Sequence, residues 1–413
     1  MGALEAWEGR RAHDGRSGVE RMSIDCAYAF AAVAAYELLA ALPFLSSSDA
    51  LLILFGVWAL FFDGTHLFAT YARTGLSARF RRQHAHLFCM TLVVFVAGPV
   101  CIAAADRVGG DASVRAATFG LNGFGIGWAY FHICRQHWGL LHEKRSRPAH
   151  HTRSRLQAAA ATLAFGAPFA GALASAPELD PGTTLEPTAW WLYASVGAIA
   201  TPAALLALSL LRHDDPLVRR LRSSLTGPCI VAAATLVVLS CRASLRALDP
   251  AVIAIALGAV TLTSGAVAVL SRASSEPRPE RRPALALCVF THAIVLLWPE
   301  LPTGVRLVSL TLLHNVQYNR FVWRQGDSAR VAPREPSDDL ARRLSRSLLA
   351  WSAAAFGFSL LLLCVKAASL RIATADVPRA ILFAFLWGFA LHHYVLDGVI
   401  WKREPAKPPA ARA

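Results

Sequence analysis

The sequence predicts an all-α protein, a polytopic membrane bundle of about twelve spans (range about 10–12) with both termini cytoplasmic. Three observations predict it. Of the 413 residues, 55% are hydrophobic and only 16% charged, with a mean hydropathy of +0.43, a balance foreign to soluble domains. Apolar runs of membrane length, roughly 17–25 residues, recur along the whole chain. Finally, 31 of the 41 Lys and Arg fall in the two tails and the alternate polar joints, and such a bias orients a polytopic chain with those joints inside.

The elements follow in order. Residues 1–22 are polar and mixed in charge, a cytosolic tail without the apolar core of a cleaved signal. Gly2 is present, but Ala6 stands where an N-myristoylation signal needs Ser or Thr. A single transmembrane domain, 23–402, follows, with spans expected at 24–45, 50–72, 88–105, 113–140, 156–175, 189–211, 226–246, 250–270, 284–299, 304–323, 347–366 and 378–401. Short joints at Ser46–Ser48 and Ala247–Pro250 leave a lower count open. The Pro/Arg segment Ser271–Pro283 is a linker that cannot bury itself. Residues 324–346 form a cytoplasmic loop, and 403–413 a cytosolic tail.

The net charge of +14 needs no nucleic acid. Arg81–Arg82, Arg219–Arg220 and Arg342–Arg343 sit at span ends, where anionic head groups gather. The eight cysteines are scattered and form no C-x-x-C pair. They are expected to be small buried hydrophobes, without a disulfide framework or a thiolate metal cluster.

Polar residues inside the spans carry the functional signal, because an ionised group there costs at least ~2.5–3.5 kcal/mol on insertion scales. Asp63/His66, His132/Gln136, His314/Gln317 and His393/Asp397 are spaced i,i+3 or i,i+4, so each pair shares a helix face. His392 adjoins the last pair. The four spans involved are all even-numbered and run outside to inside. His66 lies 7 residues before Arg73, His132 lies 12 before Lys144, His314 lies 10 before Arg324 and His392 lies 10 before Lys402. At 1.5 Å per residue these groups share a level roughly 10–18 Å beneath the cytoplasmic face. Four helices presenting imidazoles at one depth can line one pocket.

The expected metal ligands are His66, His132, His314, His392 and His393. Asp63 and Asp397 are expected as ligands or as carboxylates orienting them. Gln136, Gln317, Arg135 and Tyr318 complete the site, Arg135 and Tyr318 as holders of an anionic or reactive oxygen species. His84 and His86 could close it from the rim. His292 reads first as structural and second as a further metal ligand, and Glu37 as a packing or proton-handling acid. His137, His142, His150 and His151 read as surface or head-group residues. Imidazole with carboxylate suits a divalent metal such as iron, zinc, manganese or copper. The number of donors exceeds what one zinc needs and favours a dinuclear centre, di-iron first, with zinc or copper as alternatives.

With histidines gathered near the cytoplasmic ends of membrane helices, the chain resembles the integral-membrane, histidine-rich non-haem iron enzymes: lipid desaturases, sterol and fatty-acid hydroxylases, and alkane monooxygenases. The segments DGTHLFATYAR, FHICRQHWG, HNVQYNRFVW and HHYVLDGVIWK carry the resemblance. The H-x(3–4)-H and H-x-x-H-H boxes of those families are replaced by His84-Ala-His86, His392–His393 and the pairs above, so no residue is carried across by motif. The resemblance implies a metal-dependent oxidoreductase in a bacterial cytoplasmic membrane. It would act on a lipid or other apolar substrate, with electrons from a separate donor. The alternative classes are a proton or metal-ion transporter, for which intramembrane Asp/His chains are the usual mark, and a membrane haem protein.

Overall fold

The computed structural model describes residues 18–141, 151–175, 250–270, 281–298, 300–331, 340–344, 347–372 and 376–400. The expected spans at 189–211 and 226–246, residues 1–17, the tail 403–413 and the loop at 332–339 lie outside the described residues. So do His142 and His150.

The described residues are helical and contain no strand. The helices are α1 (Gly18–Ala40), α2 (Ser47–Trp58), a π-helical turn (Ala59–Asp63), α3 (Gly64–Arg73), α4 (Ala78–Thr91), α5 (Val94–Leu141) and α6 (His151–Ser175). They continue with α7 (Pro250–Leu270), α8 (Arg281–Leu297), α9 (Thr303–Val331), α10 (Leu340–Leu344), α11 (Leu348–Ile372) and α12 (Asp376–Ile400). Four helical runs are long and apolar enough to cross a membrane: Val19–Ala40, Ser47–Arg73, His84–His137 and Val377–Gly398. Shorter apolar helices lie at Ala160–Leu173, Ile255–Ala266, Pro283–Leu297 and Leu348–Cys364. Leu38, Leu52, Phe61, Val100, Leu262 and Leu361 are exposed. Apolar surface on that scale suits lipid better than water.

The chain divides into two compact units. The first comprises Met1–Ala69, Tyr130–Asp180 and Thr235–Ala367; the second comprises Thr70–Ala129, Pro181–Ala234 and Ala368–Ala413.

In the first unit α1 packs along α9 and α8, and α6 packs against α7 and α8. Ser46 starts α2 with a reciprocal cap: its Oγ accepts from the Asp49 amide at 3.1 Å, and the Asp49 carboxylate accepts from the Ser46 amide at 3.1 Å. The π-helical turn then interrupts the run at Ala59–Asp63. Such turns are rare and often mark functional sites. Thr65 Oγ1 donates to the Phe61 and Phe62 carbonyls at 2.9 and 3.0 Å and accepts from Asn319 Nδ2 at 3.3 Å, so the turn is tied to α9. Asp25, buried in α1, pairs with Arg320 of α9 at 2.6 Å, which holds a carboxylate inside an apolar helix pair.

In the second unit the long run α5 does not continue straight. Gly110 has φ +58°, a left-handed backbone that glycine adopts without a Cβ clash. A Cβ on Gly98 would sit 3.3 Å from a Leu121 methyl, whereas a straight helix would separate residues 98 and 121 by roughly 35 Å. The run therefore folds back at Gly109–Gly110. Ile102 and Ala105 pack on Val114, Ala117 and Leu121, with Ala380 and Ala384 of α12 completing the cluster. The expected spans 88–105 and 113–140 are the two legs of this hairpin.

Close helix contact in the first unit also depends on glycine. A Cβ on Gly64 would lie 2.8 Å from the Ser359 Cα. Small residues permit such approach between membrane helices. Gly64→Ala should cost about 1–3 kcal/mol of stability, read as a lowered thermal midpoint in detergent, and Ser359→Gly in the same chain should recover part of it. An unchanged midpoint for Gly64→Ala would contradict the contact.

Candidate metal centre

Three helices of the first unit bring imidazoles together. α3 supplies His66, α5 supplies His132 and α9 supplies His314; all are buried. Their ring centroids are 4.7 Å apart for His66–His314, 5.3 Å for His132–His314 and 6.5 Å for His66–His132. Nε2 of His66 and Nε2 of His314 lie 3.3 Å apart. That is the length of an N–H···N hydrogen bond between the two rings, and it also falls in the range of about 2.9–3.4 Å that two imidazoles bound to one ion at about 2.0–2.1 Å would have. Gln136, one turn beyond His132, places its side-chain amide 3.0 Å from His132 Nε2. The Tyr318 ring, also buried, packs edge-on to His66 with centroids 4.2 Å apart.

A second group in this unit joins His292, a lesser ligand candidate in the sequence, to His137 and Cys288, which the sequence does not mark as ligands. His137 is completely buried rather than at a head-group surface, because its ring turns inward to Gln317. Nδ1 of His137 lies 2.6 Å from Gln317 Oε1. An amide oxygen only accepts, so His137 carries its proton on Nδ1. Gln317, expected beside His314, therefore serves His137 instead. His292 of α8 is likewise buried, its Nδ1 3.1 Å from the Tyr130 hydroxyl, which donates to the Phe165 carbonyl at 3.0 Å. One ligand atom from each of His137, Cys288 and His292 lies within 4.8 Å of the others.

In the second unit α12 carries His392, His393 and Asp397, all buried. Both nitrogens of His392 are engaged by hydroxyls, Nδ1 by Tyr71 at 3.2 Å and Nε2 by Thr91 at 2.9 Å, and Phe88 and Phe95 pack on the ring. His392 thus lies within hydrogen-bond distance of a hydroxyl at each ring nitrogen. His393 differs. Its Nδ1 lies 2.9 Å from Thr70 Oγ1, which donates to Asp397 Oδ1 at 2.8 Å. Because Thr70 spends its proton on the carboxylate, His393 must donate from Nδ1, which places an Nε2 lone pair 3.8 Å from Asp397 Oδ2. An imidazole and a carboxylate are thereby presented one helical turn apart, both set by one threonine.

The remaining expected residues are less central. Asp63 is half-buried at the end of the π-helical turn, and Arg135 is half-buried on α5. His84 and His86 are half-buried on α4, where His84 departs from helical dihedrals. Cys89 and Cys364 are exposed, while Cys26 and Cys288 are buried. Thr70, Tyr71, Thr91, Tyr130, His137 and Cys288 were missed by sequence reasoning. Only the i,i+4 spacing of Cys288 and His292 on α8 offered a visible signal.

Fold and site together define a helical protein with membrane-length apolar helices and buried His, Cys and Asp groups close enough to hold a metal ion. No protein-family model matches the chain, and neither curated proteins nor solved structures show a significant match.

Thr70 generates a sharp expectation. Thr70→Val keeps its shape but removes the hydroxyl that bridges a buried carboxylate and a buried imidazole, bonds worth about 0.5–3 kcal/mol each. The thermal midpoint should fall by a corresponding amount, and Thr70→Ser, which keeps the hydroxyl, should restore it. Equal midpoints for the valine and serine variants would refute the bridging role.

Proposed function

We propose that this chain is an integral-membrane, metal-dependent oxidoreductase of the oxygenase, hydroxylase or desaturase type, acting on a lipid or other apolar substrate. The observation that carries the reading is the 3.3 Å separation of the His66 and His314 Nε2 atoms, with His132 beside them and all three rings buried. Three imidazoles make a three-donor set that leaves a coordination position open, as catalytic rather than structural sites do.

His66, His132 and His314 would hold the ion, and iron is the metal favoured here; when bound, it would supply dioxygen activation with electrons from a separate donor. The chain's own residues do the rest. Gln136 would orient His132 with its amide oxygen accepting from Nε2–H, which leaves Nδ1 as the ligand atom. Tyr318 braces His66 and excludes water from that side. The apolar helices around the site favour a substrate that enters from the bilayer. With this reading go about twelve spans, both termini inside, in a bacterial cytoplasmic membrane.

The test is elemental analysis followed by turnover. The full chain purified in detergent should hold iron, and His314→Ala should lose it. Given dioxygen, a reductant and bilayer lipid, the wild type should yield hydroxylated or desaturated acyl chains, and His314→Ala none. A Soret band would assign the histidines to haem instead. Metal-free protein with full activity would end the proposal.

A further inference from the structure

His137 and His292 each present a buried nitrogen that no group among the described residues satisfies. Nε2 of both is buried without a hydrogen-bond partner, and both rings are fully enclosed. An isolated core histidine can tolerate one such atom at a cost of about 1–3 kcal/mol. Two in adjacent rings, with centroids 5.2 Å apart and within reach of one thiol, need a common cause.

Hydrogen bonding narrows that cause to a Lewis acid. Gln317 Oε1 fixes the His137 proton on Nδ1. The Gln317 amide nitrogen faces Met22 Sδ at 3.3 Å, which sets the amide in that orientation. Tyr130 uses its only proton on the Phe165 carbonyl, so its oxygen accepts from His292 Nδ1. Both imidazoles are therefore neutral, with Nε2 as a lone pair. Metal-binding histidines have this arrangement, in which the distal N–H is tied to a protein acceptor and the other nitrogen is bare.

Cys288 lies one helical turn before His292 on α8 and is fully buried. A thiolate there, in the apolar cluster that also contains Cys26 and Leu313, would be costly without a cation beside it. A metal ion taking the place of the thiol proton removes that cost.

We propose that His137, Cys288 and His292 form a second metal site, which takes one thiophilic divalent ion of the zinc class through His137 Nε2, His292 Nε2 and the Cys288 thiolate. Two imidazoles and one thiolate are a nitrogen–sulfur set that zinc binds. Gln317 and Tyr130 are its positioning residues. The proposal goes beyond the oxidoreductase reading, because it uses none of the donors assigned to His66, His132 or His314 and does not depend on their function.

The test uses cobalt as a spectroscopic stand-in. The full chain in detergent, stripped by chelator, is titrated with Co2+. A sulfur-to-cobalt charge-transfer band in the near ultraviolet should saturate at about one ion per chain and bleach when Zn2+ displaces it. Cys288→Ser and His292→Ala should abolish the band. Cys89→Ser, at an exposed thiol, and His66→Ala should leave it intact. Gln317→Ala should weaken Co2+ affinity by about 10–100-fold while the band keeps its position.

X-ray absorption of the zinc-loaded wild type is independent of how any variant folds. It should show sulfur at about 2.3 Å and nitrogen at about 2.0–2.1 Å. A wild type without the band, a band that survives Cys288→Ser, or a zinc shell lacking sulfur each overturns the assignment. Loss of the band in His66→Ala would overturn the separateness of the two sites. Loss of iron and turnover in His314→Ala with the cobalt band unchanged would show the two assignments to be independent.

Discussion

A neutral imidazole carries one proton and one lone pair, and the chemistry of these buried groups follows from which nitrogen holds which. In water either tautomer is available at little cost. Within apolar helices each polar atom must find its partner inside the protein, because an unsatisfied one costs kilocalories. The partners here are groups whose own direction is settled: an amide oxygen at His137, a phenol already committed to a carbonyl at His292, and a threonine committed to a carboxylate at His393. Each sets its imidazole with Nδ1 protonated and Nε2 as the lone pair. His392 is the contrast, since hydroxyls engage both its nitrogens.

Helix packing places these groups. In the first unit the π-helical turn before Gly64 and the close contact of Gly64 with Ser359 position the segment that carries His66. The Asp25–Arg320 pair, with its carboxylate buried and its guanidinium half-buried, joins α1 to α9 six residues beyond His314 on the latter helix. Breaking such a pair by removing one partner is strongly destabilising, because a charge is left uncompensated. In the second unit the fold-back at Gly109–Gly110 lets both legs of α5 pack on each other and on α12.

Much of this was legible in the sequence, and the rest failed for definite reasons. Apolar length and charge asymmetry exposed the helical membrane character. Matching depth singled out His66, His132 and His314, whose rings are grouped in the first unit. His137 was misread because Arg135, Gln136 and the basic segment after it look like a membrane border; what draws it inward is Gln317, 180 residues away. Cys288 and His292 stand one turn apart in the sequence, but a lone thiol and a lone imidazole each have an ordinary core explanation. The Asp63–His66 pairing assumed a regular 3.6-residue period, and a π-helical turn ends at Asp63. Thr70 and Thr91 were invisible because threonine hydroxyls usually satisfy themselves locally, and Tyr71 because a lone tyrosine reads as core; only the fold shows their long-range partners.

The tautomers also bear on whether the buried histidines conduct protons. In the first unit His66, His314, His137 and His292 form a row, with successive centroids 4.7, 6.0 and 5.2 Å apart, which on spacing alone resembles a relay. Conduction through such a row requires each ring to accept on one nitrogen and donate from the other toward the next ring. The Nδ1 protons of His137 and His292 instead point to Gln317 Oε1 and to the Tyr130 oxygen. An amide oxygen passes no proton onward, and the tyrosine delivers its own to a backbone carbonyl that ends the path. To conduct, two buried rings would have to break these bonds and turn within close-packed surroundings. An ion bound at the Nε2 lone pairs would need no such motion, so the same geometry that blocks a proton wire is the one that would suit a metal.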